Sequence, residues 1–313
     1  MLLCLSVGPT AAELDAPYPP EWLTVPAGGL RLPLANQPVL IESQDLRLSP
    51  EAVEVTYRLA NGGESDLALT VGFPFPNQPA DSAPGLAAAF LDAHLDVEGV
   101  AQPVAAVGRR LYNDGRDVTD ALFAAGIDLD GLPDGALQRL SRSEHHRFSR
   151  ALSEQGLEQP ARHRWSLAIE PRWQVLLPAR STTSLRLSYR PHSGHSTDRF
   201  TERLRIRELT HLEAYCAEDQ PPLLEWLQAR ISEGLEAADA DFVDIGRLEL
   251  SYLWEDLPAE QRERRIRVEV RVADDTHLAF CFPGGVARLP DGTHLAGMRG
   301  VPEEQRLDVV ILE

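Results

Sequence analysis

Lysine is absent from this 313-residue chain, and acidic residues outnumber basic ones. The sequence holds 48 Asp and Glu against 30 basic residues, all of them Arg, for a formal net charge of −18. A field of that sign repels phosphate backbones and anionic lipid surfaces, which argues against a nucleic-acid partner. We interpret the tightest basic cluster as a solvated strand edge rather than a binding patch; it comprises Arg262, Arg264, Arg265 and Arg267.

Long apolar runs and the common catalytic signatures are missing as well. Beyond the first residues, no stretch approaches the roughly 18 apolar residues that a membrane-spanning helix needs. The chain has no Gly-x-Ser-x-Gly elbow, no phosphate-cradling glycine loop and no dinucleotide fingerprint. These absences remove the most readily identified classes of hydrolase, nucleotide-binding enzyme and integral membrane protein.

The start of the chain has the character of the back half of a secretion signal. Residues 1–12 are mostly apolar and end in the small residues Thr10-Ala11-Ala12, but the basic segment that normally opens a signal is missing. Either the true start codon lies upstream or the signal is degenerate. We expect residues 1–12 to be a remnant signal peptide, residues 13–24 to be an irregular lead-in, and the mature protein to be periplasmic or secreted.

Only three cysteines are present, and one of them, Cys4, falls inside the signal segment. Removal of the signal leaves Cys216 and Cys281. An even pair in an oxidising compartment favours one disulfide bond, with two buried free thiols as the alternative.

Most of the remaining sequence alternates between apolar and polar residues, as half-buried antiparallel strands do. The period changes to a helical one only around residues 114–160 and again near residues 221–227. We therefore predict a mainly β fold. An antiparallel β-sandwich-like domain over residues 25–195 would carry a helical insertion at about 114–160, and a smaller α+β domain would follow over residues 200–313.

Four large aromatic residues lie on the apolar phase of the predicted strands and are expected in the core; they are Tyr57, Phe73, Trp165 and Trp173. The alternative for the two tryptophans is an exposed platform on which a sugar ring could stack.

One polar loop contains residue types that could bind a metal ion. His192, His195 and Asp198 could supply two imidazoles and a carboxylate to zinc or another divalent ion, with an open position for water. The alternative is a loop that is polar for solubility alone. No other cofactor is predicted.

Two hypotheses for function follow. The first is a non-catalytic envelope module that binds a protein or glycan partner. The second is a metal-assisted hydrolase using the loop of His192. The absence of a complete catalytic set favours the first, since a fold alone implies no chemistry.

The sequence also resembles the bacterial domain-of-unknown-function family number 4424. The likeness runs in order through most of the mature chain, in the segments Ala27–Leu30, Ile41–Pro50, Val55–Arg58, Val71–Pro76, Asp117–Thr119, Pro178-Ala179, Tyr189–Pro191, Tyr215-Cys216 and Phe280-Cys281, and at Leu122 and Trp173. The resemblance implies export and a C-terminal half with paired cysteines. It implies no activity and no catalytic residue.

Overall fold

The computed structural model describes residues 27–34, 37–73, 78–79, 92–113, 116–127, 142–154, 165–191, 193–200, 212, 215–216, 221–238, 242–254, 263–273, 276–300, 302 and 306–313. The predicted signal remnant and the lead-in therefore lie outside the described residues. None of the described helices is long and apolar enough to cross a membrane.

The secondary structure is dominated by strands, with three helices in the described ranges. The strands are β1 (Ala27–Gly28), β2 (Val39–Leu48), β3 (Val53–Asn61), β4 (Leu67–Gly72), β5 (Gln78–Pro79), β6 (His94–Val97), β7 (Val100–Gln102), β8 (Ala106–Asn113), β9 (Arg116–Asp117), β10 (Trp165–Leu177), β11 (Ser181–Tyr189), β12 (Gly194–Phe200), β13 (Val243–Leu253), β14 (Arg265–Val270), β15 (His277–Phe280), β16 (Ala287–Arg288), β17 (His294–Arg299) and β18 (Arg306–Leu312). The helices are α1 (Thr119–Ala124), α2 (Arg142–Glu154) and α3 (Pro221–Ala238).

The strands form one large sheet and two smaller ones. The eight-stranded sheet has the order β16-β17-β14-β2-β3-β11-β6-β7. A five-stranded sheet contains β1, β13, β18 and β15, with β12 also paired to β13, and the other contains β4, β10, β8 and β9, with β5 paired to β10. Most neighbours are antiparallel, but β14 runs parallel to β2 and β1 runs parallel to β13. The predicted mainly β, antiparallel-rich fold is confirmed.

A single large apolar cluster joins the three sheets. It takes the inward-facing residues of the eight-stranded sheet, such as Val55 and Val268, together with Trp173 of one five-stranded sheet and Val309 of the other. The eight-stranded sheet therefore packs against both smaller sheets. Its strands β14 and β17 come from beyond residue 195, so the two predicted domains share a sheet and a core.

The alternation predicted from the sequence appears directly in the burial of the strands. β3 is buried at every odd residue from Val53 to Asn61. In contrast, Val309 to Leu312 of β18 are buried without interruption, because α3 covers the face of this sheet that points away from the main core. A strand enclosed on both faces has no need for alternating polarity.

Tyrosine hydroxyl groups hold the N-terminal segment against the sheets. The Tyr57 hydroxyl accepts a hydrogen bond from the Leu30 backbone N–H at 3.0 Å, and the Tyr189 hydroxyl donates to the Gly28 carbonyl at 3.3 Å. Tyr57, Phe73 and Trp173 are each 0% exposed, which confirms their predicted burial. The side chain of Trp165 lies outside the described residues.

Helices occur within the predicted insertion. α1 and α2 pack on each other through a separate apolar cluster that includes Leu122, Phe148 and Leu152. α1 ends before Gly126, whose φ of 70° suits the left-handed backbone that often terminates a helix.

Candidate functional site

The metal residues predicted from the sequence are not brought together as far as the structure describes them. His192 lies outside the described residues. His195 and Asp198 are three positions apart on β12, and side chains three apart on a strand project from opposite faces. The His195 ring is 3.1 Å from the Ser193 hydroxyl, and both Asp198 carboxylate oxygens accept hydrogen bonds from Arg247, at 2.9 and 3.1 Å.

Within the described ranges, no group of three or more His, Cys, Asp and Glu residues is arranged to hold a metal ion. The three-residue metal set stays a prediction, since His192 is not described. The contacts of Asp198 weigh against it, because a carboxylate already bound to a guanidinium must break that ion pair to ligate a metal.

The predicted disulfide bond between Cys216 and Cys281 is present. Their Cα atoms are 5.1 Å apart across 65 residues of sequence. Cys216 lies just before α3 and Cys281 directly follows β15. The bond therefore fastens the chain that leads into the helix to the edge strand of the sheet that the helix covers.

Two histidines lie close to this edge, at the start of β15 and of β17. The His277 ring stacks on Trp226 of α3 with centroids 4.3 Å apart. His294 is 8% exposed, and its Nδ1 has no hydrogen-bond partner in the described structure. Burial, followed by the nearby positive charge of Arg288, lowers the pKa of both imidazoles below the ordinary value of 6.5. Both rings are therefore mainly neutral at pH 7.

An open groove lies beside the β16–β17 hairpin, on the outer face of the eight-stranded sheet. Its volume is about 700 Å³. The groove is lined by β14, by β17 and by the loop that leads from β15 to β16. Its lining residues include Arg265, Arg267, Gly284, Gly285, Gly297 and Arg299. Gly297 is exposed in the floor, where an added Cβ atom would lie 3.3 Å from the Ile266 carbonyl oxygen.

Strand pairing places the three arginines on one face. Arg265 of β14 is directly opposite Arg299 of β17, and Arg267 is opposite Gly297. Side chains of directly opposed residues have Cβ atoms about 5 Å apart, and Arg267 follows Arg265 on the same face about 7 Å along the strand. All three side chains are exposed. The groove is thus a local concentration of positive charge on an acidic protein.

Two of these guanidinium groups are not neutralised. Neither Arg265 nor Arg299 forms an ion pair with any residue in the described part of the chain. Arg267 contacts Glu269 at 3.4 Å, but that carboxylate is also 2.6 Å from Arg271 and 3.7 Å from Arg47. Like charges that face each other directly across two strands destabilise the pairing. A bound anion in the groove would therefore offset the repulsion between Arg265 and Arg299.

A defined turn shapes the wall of the groove. The Gly285 N–H donates to the Phe282 carbonyl at 3.0 Å, and Gly284 has a φ of 90°. This is the pattern of a type II turn, with Pro283 at its second position and glycine at its third, where φ must be positive. The Pro-Gly-Gly sequence of residues 283–285 is the signal in the sequence that predicts this turn.

The interpretation of the basic cluster as a strand edge was wrong. β14 is an interior strand, paired with β17 on one side and β2 on the other. Arg264, immediately before it, is 0% exposed, while Arg265 and Arg267 project into the groove. Arg262 lies outside the described residues. The error arose because both partner strands are distant in sequence: Arg299 of β17 lies 34 positions beyond Arg265, and β2 lies more than two hundred residues before it.

The fold and the groove define a β-rich, disulfide-bonded protein with a cationic groove on its surface. The chain matches the family "Domain of unknown function (DUF4424)" over residues 22–237. It belongs to that family, and the resemblance noted from the sequence is confirmed.

The other comparisons add little. No curated protein matches the sequence. Among solved structures, the chain is similar to a candidate nutrient binding protein from Legionella pneumophila, with 11% identity and a TM-score of 0.38 over 92% of this chain and 71% of the other. A likeness of that size carries no argument about function.

Proposed function

We propose that this protein is an exported, non-catalytic binding module of the cell envelope, and that its ligand binds in the groove between β14, β17 and the Gly284-Gly285 loop. The observation that carries the proposal is the pair of opposed arginines, Arg265 and Arg299, which have no ion pair with described residues in an open cavity. Such an arrangement is costly to the free protein and is relieved by a bound ligand.

The size and the support of the groove favour a small ligand or a short part of a glycan. Small-molecule sites usually have volumes of roughly 300–1,000 Å³, and the groove has about 700 Å³. Its floor belongs to β14 and β17, whose inward residues Ile266, Val268 and Ala296 are buried in the main core. The arginines are therefore carried on a rigid framework, which reduces the conformational entropy lost on binding.

Filling the groove tests the proposal. Gly297→Trp places a large ring on the exposed floor, and Leu176→Trp adds the same ring at an exposed position of β10 in another sheet, as a matched control. Native mass spectrometry of protein recovered from the periplasm, together with melting in a periplasmic small-molecule extract, would report a bound species. We expect a co-purifying mass or a raised Tm for the wild type and Leu176→Trp, and neither for Gly297→Trp. Equal behaviour of all three proteins would refute the groove as the binding site.

A further inference from the structure

We infer that the ligand of the groove carries an oxyanion group, a carboxylate or a phosphate, and that Arg265 and Arg299 bind this group together. The inference rests on the proposed function and names its ligand chemistry.

The argument begins with the geometry of the pair. In an antiparallel register the two arginines are directly opposite, so their side chains leave neighbouring points of the same face. Each guanidinium is planar and carries five N–H donors in a fork that matches the two oxygens of a carboxylate or phosphate. Two forks that start about 5 Å apart can reach the same oxyanion group, whereas a neutral ligand would leave two like charges facing each other.

The surroundings of the pair strengthen the preference for an anion. None of the described residues that line the groove is acidic, although Asp and Glu outnumber Arg in the whole chain, 48 to 30. Asp45 of β2 is paired with Arg267 on the other side of β14, away from Arg265 and Arg299. The long-range field of the acidic protein is screened over roughly 8–10 Å at physiological salt, so the nearby guanidinium groups dominate inside the groove.

Arg267 adds a third guanidinium group to the site. Its Nη2 atom lies 3.4 Å from the Glu269 carboxylate, a side chain that is only 6% exposed and also contacts Arg271 at 2.6 Å. Glu269 also contacts Arg47, so its single negative charge orients Arg267 but cannot neutralise Arg47, Arg267 and Arg271 together. A ligand with a second polar group about 7 Å from its oxyanion could reach Arg267 as well.

The test uses the full mature chain and defined probes. Inorganic phosphate and succinate would be titrated calorimetrically into the dialysed wild type and into Arg265→Gln, Arg299→Gln and the double variant. Arg288→Gln is the matched control, because Arg288 of β16 lies opposite the buried His294 of β17 and so is on the other face of the sheet from Arg265 and Arg299. We expect at least tenfold weaker binding in each groove variant and unchanged binding in Arg288→Gln.

A lipid headgroup is the other source of the same chemistry, and a separate arm identifies it. Sedimentation with phosphatidylglycerol vesicles, compared with phosphatidylcholine vesicles, would reveal binding to a membrane-borne phosphate. Binding of either soluble anion, or of phosphatidylglycerol vesicles alone, supports the inference if Arg265→Gln and Arg299→Gln weaken it. No binding in any arm, or binding that these variants leave intact, overturns it.

The melting temperature gives a second readout that needs no ligand. Arg265→Gln removes the repulsion with Arg299, so its Tm in low salt should lie above that of the wild type, and phosphate should raise the wild-type Tm more than that of the variant. If Gly297→Trp abolishes a co-purifying ligand that Arg265→Gln retains, the binding site stands and the oxyanion inference falls. If Gly297→Trp also retains the ligand, the groove is not the binding site, and the proposed function is refuted together with the inference.

Discussion

Removal of the bond between Cys216 and Cys281 should destabilise one part of the molecule much more than the rest. The bond closes 65 residues of sequence. In the chain-entropy treatment, a loop of that length restricts the unfolded chain by about 4 kcal/mol at 25 °C. We therefore expect the double variant Cys216→Ala/Cys281→Ala to lose up to about 4 kcal/mol of unfolding free energy.

The structure also determines where this loss should appear. From the sequence alone, all of residues 200–313 would loosen together. However, β14 and β17 belong to the eight-stranded sheet, where β14 pairs with β2 along its whole length. Loosening should therefore concentrate in α3 and in the edge strand β15, which the bond connects, while β14 and β17 stay protected.

Hydrogen exchange followed by mass spectrometry resolves these regions. The double variant would be compared with the oxidised wild type and with the reduced wild type, in which the same bond is broken without a substitution. Faster exchange in α3 and β15, with unchanged exchange in β2 and β14, is the expected pattern. Uniform loosening of all strands would refute the local argument, and two free thiols in oxidised, periplasm-derived protein would remove its premise.

Three further outcomes are expected. Trp173→Ala empties a site that is 0% exposed and should cost about 3–5 kcal/mol in denaturant unfolding; an unchanged midpoint would refute its role in the core. Burial holds the folded pKa of His294 below 6.5, so stability should fall as the pH drops through 6.5 towards that lower pKa, where only the unfolded chain gains the proton. His294→Gln should reduce this slope between pH 8 and pH 5, and a parallel Tm profile would contradict the assignment. N-terminal sequencing of periplasmic protein should begin close to Glu13, whereas cytoplasmic protein that retains Met1 would defeat the expectation of export.

The local alternation of apolar and polar residues was enough to predict the strands and part of the core. Residues 53–59 alternate because one face of β3 packs inward and the other meets water, and that consequence of strand geometry is visible without a partner strand. The same reasoning placed Tyr57, Phe73 and Trp173 in the interior. The cysteine pair was also predictable, since only two cysteines remain once the signal segment is set aside.

The groove depended on the tertiary structure. Arg265 and Arg299 are 34 positions apart in sequence, and only the register of β14 with β17 makes them direct neighbours. The parallel pairing of β14 with β2 likewise joins segments more than two hundred residues apart. The sequence by itself determined which residues alternate and which enter the core, because those preferences are local. Which strands become neighbours, and therefore which charges face each other, was decided by packing between distant parts of the chain.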